Sequence, residues 1–180
     1  MRDARFRRDA RAVRALPPPE PVIELRQAIE TLSRHEVEFI IVGGVAMNLH
    51  GSAHVTFDLD ICYARRRANL KRLSAALSPY QPRPRGLPEN LPFVWDEQTL
   101  QSGTNFTLTT IGDIDLLGEV SGVGVYAEAF VASVAVPLYG IACRVLTLDA
   151  LIEAKRAAAR VKDQLVLPEL EALREVLNKD

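Results

Sequence analysis

The sequence predicts a single α+β domain, and three observations carry that expectation. The stretch FIIVGGVAMNLHGSAHVTFDLDIC, Phe39 to Cys62, runs from an apolar segment through a glycine break and a short Ala/Met/Leu segment into a second apolar segment. Further on come two pairs of strand-like runs, Asn105 to Thr110 with Ile114 to Val120, and Val131 to Val136 with Ile141 to Leu146. Segments of helical period lie at both ends, from Val22 and from Asp149. Strands and helices in one chain, without strict alternation, are the pattern of an α+β fold. A chain of 180 residues suits one core better than two.

Composition excludes several classes. Apolar content of 48% with 25% charged residues is ordinary for a folded chain, and no apolar run reaches the roughly 18 residues of a membrane helix. No apolar signal core is seen at the N-terminus, so the expected location is cytoplasmic, with no membrane partner. Cys62 and Cys143 each sit in apolar segments, away from other cysteines or histidines, and read as small buried hydrophobes. A net charge of -1 makes no global case for nucleic acid.

Residues 1–14 hold six arginines against two aspartates, and ALPPPEP follows, which neither helix nor central strand accommodates. Residues 1–21 are therefore expected to be a flexible tail, and 22–180 the folded domain. Val22, Leu25, Ala28, Ile29 and Leu32 follow a helical period to about His35, and Glu36 to Val42 reads as the first strand. Gly43-Gly44 ends it, Val45 to His50 is a short helix closed by Gly51, and Val55 to Tyr63 is the second strand. Residues 65–77 form a basic helix with Leu70, Leu73, Ala76 and Leu77 inward, and the proline-rich stretch 79–92 is a loop. Ser121 to Gly124 is a loop, Asp149 to Val161 a helix with Thr147 as N-cap, and Pro168 opens a last helix.

The chemistry concentrates in carboxylates. On one strand Asp58 and Asp60, two apart, share a face, where they repel unless something positive lies between them. A solvated polar edge is the bland reading of the pair. The hairpin brings Asp113 and Asp115; Asp113 adjoins the turn glycine, whereas Asp115 lies inside the strand and is the better third ligand. Glycines after the first strand let backbone N–H groups approach an anion.

Taken in order, IVGG, HG-x-x-H-x-T-x-DLDI, the aspartate of IDLL, and LIEAK followed by Arg160 and Lys162-Asp163 resemble the nucleotidyltransferase superfamily of the DNA polymerase beta type. Within it the sequence is most similar to small bacterial proteins related to the AbiEii toxin component and to minimal nucleotidyltransferases. The resemblance covers about residues 22 to 178. It implies a short mixed β-sheet with helices packed mainly on one side, followed by C-terminal helices. It also implies transfer of a nucleoside monophosphate from a nucleoside triphosphate (NTP) to a hydroxyl acceptor, with two Mg2+ ions held by Asp58, Asp60 and Asp115 as catalytic and metal-binding residues. Gly43, Gly44, His54, Thr56 and Lys155 would then contact the nucleotide. His54 stands where family members commonly have Arg or Lys. The resemblance further implies RNA such as tRNA, or a protein, as acceptor, and in a toxin-like role a neighbouring antitoxin as partner. Lys155 also reads as a surface lysine on an amphipathic helix, and Arg160, Lys162 and Asp163 as an ion network packing the helices instead of a site. The competing functional reading is a non-catalytic module of the same fold that binds nucleotide, RNA or a partner.

Overall fold

The structure is a computed structural model and describes residues 22–88, 90–102, 106–107 and 110–179. The expected tail, residues 1–21, lies outside them, as do residues 105, 108 and 109 of the expected strand from Asn105 to Thr110. Helix α1, Leu25–Arg34, buries Ala28, Ile29 and Leu32, the positions its period selects. Strand β1, Phe39–Val42, begins three residues later than the apolar pattern suggests, because Glu36 turns the chain with φ of 53°. Helix α2, Gly43–Leu49, follows without a linker.

Strand β2 is Leu59–Tyr63. Residues 52–57 are irregular and Asp58 lies in a bend, so the second strand starts at Leu59 and not at Val55. Helix α3, Arg67–Leu77, buries Leu70, Leu73, Ala76 and Leu77, together with Asn69. Asn69 is fully buried because its amide bridges the chain, accepting from the Glu38 N–H and donating to the carbonyls of Glu38 and Ala64. The basic face of α3 pairs with acids: Arg66 with Glu38, Arg67 with Glu97, and Arg72 with Glu36 and Glu38. That is a solvated helix face tied to its neighbours.

The proline-rich stretch carries a turn of 3-10 helix, Ser78–Tyr80, and a two-residue strand β3, Arg83–Pro84. Helix α4 is Glu97–Ser102, β4 is Phe106–Thr107 and β5 is Asp113–Leu117. Beyond β5, β6 (Glu119–Val120) and β7 (Gly124–Val125) form a separate hairpin whose turn is 121–123, so that of the expected loop 121–124 Gly124 belongs instead to β7, paired with Val120. Helix α5, Tyr126–Val131, occupies residues that precede β8, Ser133–Leu138, which pairs antiparallel with β9, Ile141–Leu146. Pro137 is tolerated inside β8 because that strand is the sheet edge.

Helix α6, Leu148–Ala158, is capped by the Thr147 hydroxyl, which accepts from the Ala150 N–H at 3.3 Å. It ends at Ala159, in the left-handed region with φ of 51°. Helix α7, Val161–Leu177, contains Pro168 in its interior, so the proline does not open the helix. Buried Asp163, Val166 and Leu170 secure α7 on both sides of Pro168, which compensates for the missing N–H.

The main sheet has the order β3-β4-β5-β2-β1-β9-β8. It is mixed: β5 and β2 are parallel, β2 and β1 antiparallel, β1 and β9 parallel. In β1 and β2 successive residues, such as Ile40 with Ile41 and Cys62 with Tyr63, are all buried, so both faces of the centre are covered. Burial pushes the Cys62 thiol up to about 12, which makes it a packing residue. Among the described residues no helix is long and apolar enough to cross a membrane.

Candidate active site

Asp60 and Asp115 are brought together by strand register. In the parallel pair of β2 and β5, Asp60 stands directly opposite Asp115, and on the other side of β2 Asp60 faces Val42. Asp58 arrives by a different route. It precedes β2 in the bend, and Thr56 Oγ1 donates to its Oδ1 at 2.8 Å. The threonine thus orients the carboxylate, where a pleated strand was the expected device. One carboxylate oxygen from each of Asp58, Asp60 and Asp115 lies within 4.8 Å of the others.

The two glycines are explained by this convergence. A Cβ on Gly43, whose φ is +59°, would overlap the Asp60 carboxylate, and a Cβ on Gly44 would overlap the Thr56 side chain. Only glycine lets the end of β1 approach both groups so closely.

Burial, then the charges of Asp58 and Asp115, push the Asp60 carboxyl up to about 6 despite the opposing influence of Lys155 and Lys162. Asp115 is also raised, first by burial, with Arg85 opposing and Asp58 and Asp113 adding to the rise. Carboxylates that repel at close range and lack enough positive charge are the donor set that a hard divalent cation neutralises, with oxygen ligands at about 2.1 Å for Mg2+. The three aspartates fit such an ion.

They open into a cleft of about 350 Å³ lined also by Gly43, Gly44, His54, Thr56, Lys155, Arg160 and Lys162. All eight site residues expected from the sequence therefore border one space, but they differ in how they present themselves. His54 is exposed at the rim. Its segment is held by Glu169 of α7, which accepts from the Ser52 hydroxyl at 2.8 Å and the Ala53 N–H at 2.9 Å. Lys155 does not point its ammonium at the aspartates alone; it donates to Asp163 Oδ1 at 2.8 Å, and Arg160 donates to Asp163 Oδ2 at 2.6 Å. Asp163 is fully buried. Burial would raise its carboxyl, but the hydrogen bonds from Arg160 and Lys155 outweigh that and hold it below its usual range. The contact that joins α6 to α7 is thus Lys155 with Asp163, which fixes the lysine at the cleft wall, while Arg160 pairs with Asp163 within the start of α7.

Solved structures with this architecture are known. A protein classed provisionally as a nucleotidyltransferase, TM1012 from Thermotoga maritima, superposes with a TM-score of 0.51 at 18% identity, covering 87% of this chain and 91% of its own. The chain has a nucleotidyltransferase-like fold. The antibiotic-resistance factor ANT(2'')-Ia is similar to the same extent, with a TM-score of 0.51 at 14% identity over 86% of this chain and 89% of its own. No protein-family model matches the sequence, and no functionally curated protein matches it.

Within this nucleotidyltransferase-like fold three side chains bear on the site that sequence reasoning did not select. Arg85 reaches Asp115 from the proline-rich stretch, with Nη2 2.6 Å from Oδ1. Nothing local marks it, since it sits in a loop 30 positions away. Glu169 was hidden in an amphipathic pattern. Lys162, read as part of a packing network, lowers the carboxyls of both Asp60 and Asp115.

Proposed function

We propose that the protein is a metal-dependent nucleotidyltransferase that moves a nucleoside monophosphate from an NTP to a hydroxyl acceptor. The observation that carries this reading is the convergence of Asp58, Asp60 and Asp115 within 4.8 Å at the wall of a cleft that is also lined by Lys155, Arg160 and Lys162. Carboxylates beside cations is the pairing that triphosphate with magnesium requires.

In the proposed reaction the acceptor oxygen forms a bond to the α-phosphorus, the bond from that phosphorus to the bridging oxygen breaks, and pyrophosphate leaves while the acceptor loses its proton. Asp58, Asp60 and Asp115 would hold two Mg2+ ions, which supply charge neutralisation, alignment and a more acidic acceptor hydroxyl. Asp58 is kept in register by Thr56, and Asp60 by its seat over Gly43. Asp115 serves the acceptor side. Gly43 and Gly44 present a side-chain-free backbone to the phosphates. Lys155, anchored through Asp163, supplies positive charge that is fixed before substrate arrives, so little reorganisation is needed, and Lys162 adds a second positive charge to the cleft lining. His54 at the rim offers a ring nitrogen to the phosphates.

The acceptor we favour is RNA, such as tRNA, or a protein, in a bacterial toxin-like role of the AbiEii kind with an antitoxin partner. The competing reading is a module that binds nucleotide or RNA without catalysis, and the occupation of Asp115 by Arg85 is the observation in its favour. Incubation with Mg2+ and each labelled NTP, with total RNA and a protein lysate as acceptors, separates them. Label transfer that disappears in Asp60→Ala is the expected result. Nucleotide binding without transfer to any acceptor overturns the enzyme and leaves the module.

A further inference from the structure

One carboxylate of the Asp58, Asp60 and Asp115 cluster, that of Asp115, is already paired with a cation. Arg85 stands between β3 and Gly86, and its Nη2 lies 2.6 Å from Asp115 Oδ1 and 3.7 Å from Asp113 Oδ2. The Asp115 side chain is only 11% exposed while that of Arg85 is 50% exposed. The arginine therefore reaches inward from solvent to a nearly buried carboxylate. Its mount is held from behind by Arg83, which donates to the carbonyls of Pro88 at 3.0 Å and Leu91 at 2.9 Å. The strand that carries it, β3, pairs with β4 through two residues only, at the sheet edge.

A guanidinium and a divalent ion ask for the same thing from a carboxylate: its lone pairs and its charge. The lone pair that Asp115 Oδ1 gives to Arg85 is withheld from any other cation. Arg85 also has somewhere to go. It lines a groove of about 230 Å³, shared with His54, Phe57, Asp58, Asp113 and Lys162, that adjoins the main cleft.

We propose that Arg85 is a built-in counter-ion of the third carboxylate, which neutralises Asp115 in the metal-free protein and must leave it before all three aspartates can bind a divalent cation. This rests on reading the three aspartates as a metal site. The consequence is a site whose metal affinity is held down by its own side chain. Any anion that takes up the displaced guanidinium in the adjoining groove promotes metal binding, because the two equilibria are linked.

The test is Mn2+ titration of the full chain, read by the electron paramagnetic resonance signal of the free ion, for wild type, Arg85→Gln, Arg85→Lys and Asp60→Asn. Breaking the charge-assisted hydrogen bond that holds Arg85 on Asp115 is a cost that metal binding must meet, on the order of tenfold or more in affinity. Arg85→Gln is therefore expected to bind Mn2+ at least about tenfold more tightly than wild type, and Arg85→Lys to fall between them. Arg67→Gln, which removes one arginine from the exposed pair with Glu97, controls for net charge and leaves the titration unchanged. In an Asp115→Asn background the effect of Arg85→Gln should largely vanish. An Arg85→Gln protein with unchanged or weaker Mn2+ binding overturns the proposal, since that is what an arginine that merely braces Asp115 produces. If wild type binds Mn2+ and Asp60→Asn does not, the metal site stands whatever Arg85 does. If neither wild type nor Arg85→Gln binds, the metal reading and this proposal fall together.

Discussion

Replacing Asp60 by asparagine should make the metal-free protein more stable while removing its function. The Asp60 carboxyl is raised from 3.8 to about 6 by burial and by its two acidic neighbours. A folded-state value above the unfolded one means that the ionised form is disfavoured in the native protein. The penalty is absent below about pH 4, where the carboxyl is protonated in both states, and it is complete once pH exceeds the folded value. A shift of about two units corresponds to about 3 kcal/mol. Among the described residues no hydrogen bond holds the Asp60 side chain, so the amide forfeits little when it replaces the carboxylate. Urea denaturation at pH 8 should show Asp60→Asn more stable by about 2 to 3 kcal/mol, which is on the order of 5 to 10 °C in Tm for a domain of this size. At pH 4 the two proteins should be nearly equal. Adding Mg2+ should raise the stability of the wild type and leave the variant unmoved. A variant that is less stable at pH 8, or a difference that does not change between pH 4 and pH 8, would refute the claim that repulsion and burial strain this carboxylate.

Other consequences of the geometry can be checked as directly. Gly43→Ala puts a Cβ into the Asp60 carboxylate at a φ of +59°; it should lose about 1 to 3 kcal/mol by chemical denaturation and weaken Mn2+ binding, where a merely flexible turn would lose neither. Asp163→Ala leaves Lys155 and Arg160 facing an empty buried position; a loss of about 3 kcal/mol or more is expected at pH 7. Because the Asp163 carboxyl is held below its usual range, its stabilisation is complete above the unfolded value near 3.8 and is lost as pH falls through the lower folded value, so the difference from wild type should shrink only in strong acid.

The periodic elements were legible because their residues state their own surroundings. Leu70, Leu73, Ala76 and Leu77 repeat at helical spacing and are buried in α3, Ile141 to Leu146 coincides with β9, and Thr147 caps α6 as its position implied. Two short helices were not: α4 and α5 are six residues each, too few for a period to emerge, and no glycine pair marks their start as it does for α2. Pro168 misled because a local rule about proline was outweighed by the buried Val166 and Leu170 on either side of it.

For the site the division is sharper. Glycines after a strand, two aspartates at a spacing of two and a later aspartate inside a strand were sufficient to nominate Gly43, Gly44, Asp58, Asp60 and Asp115, because those choices concern which residue types a strand or turn will accept. That Asp60 lies opposite Asp115 was decided by the parallel pairing of β2 with β5, a contact between segments more than fifty residues apart that no local pattern encodes. The same holds for the Thr56 hydrogen bond to Asp58, the Asp163 anchor beneath Lys155 and the Arg85 cation on Asp115. Sequence chooses which charges a chain carries; only the fold decides which of them must face one another.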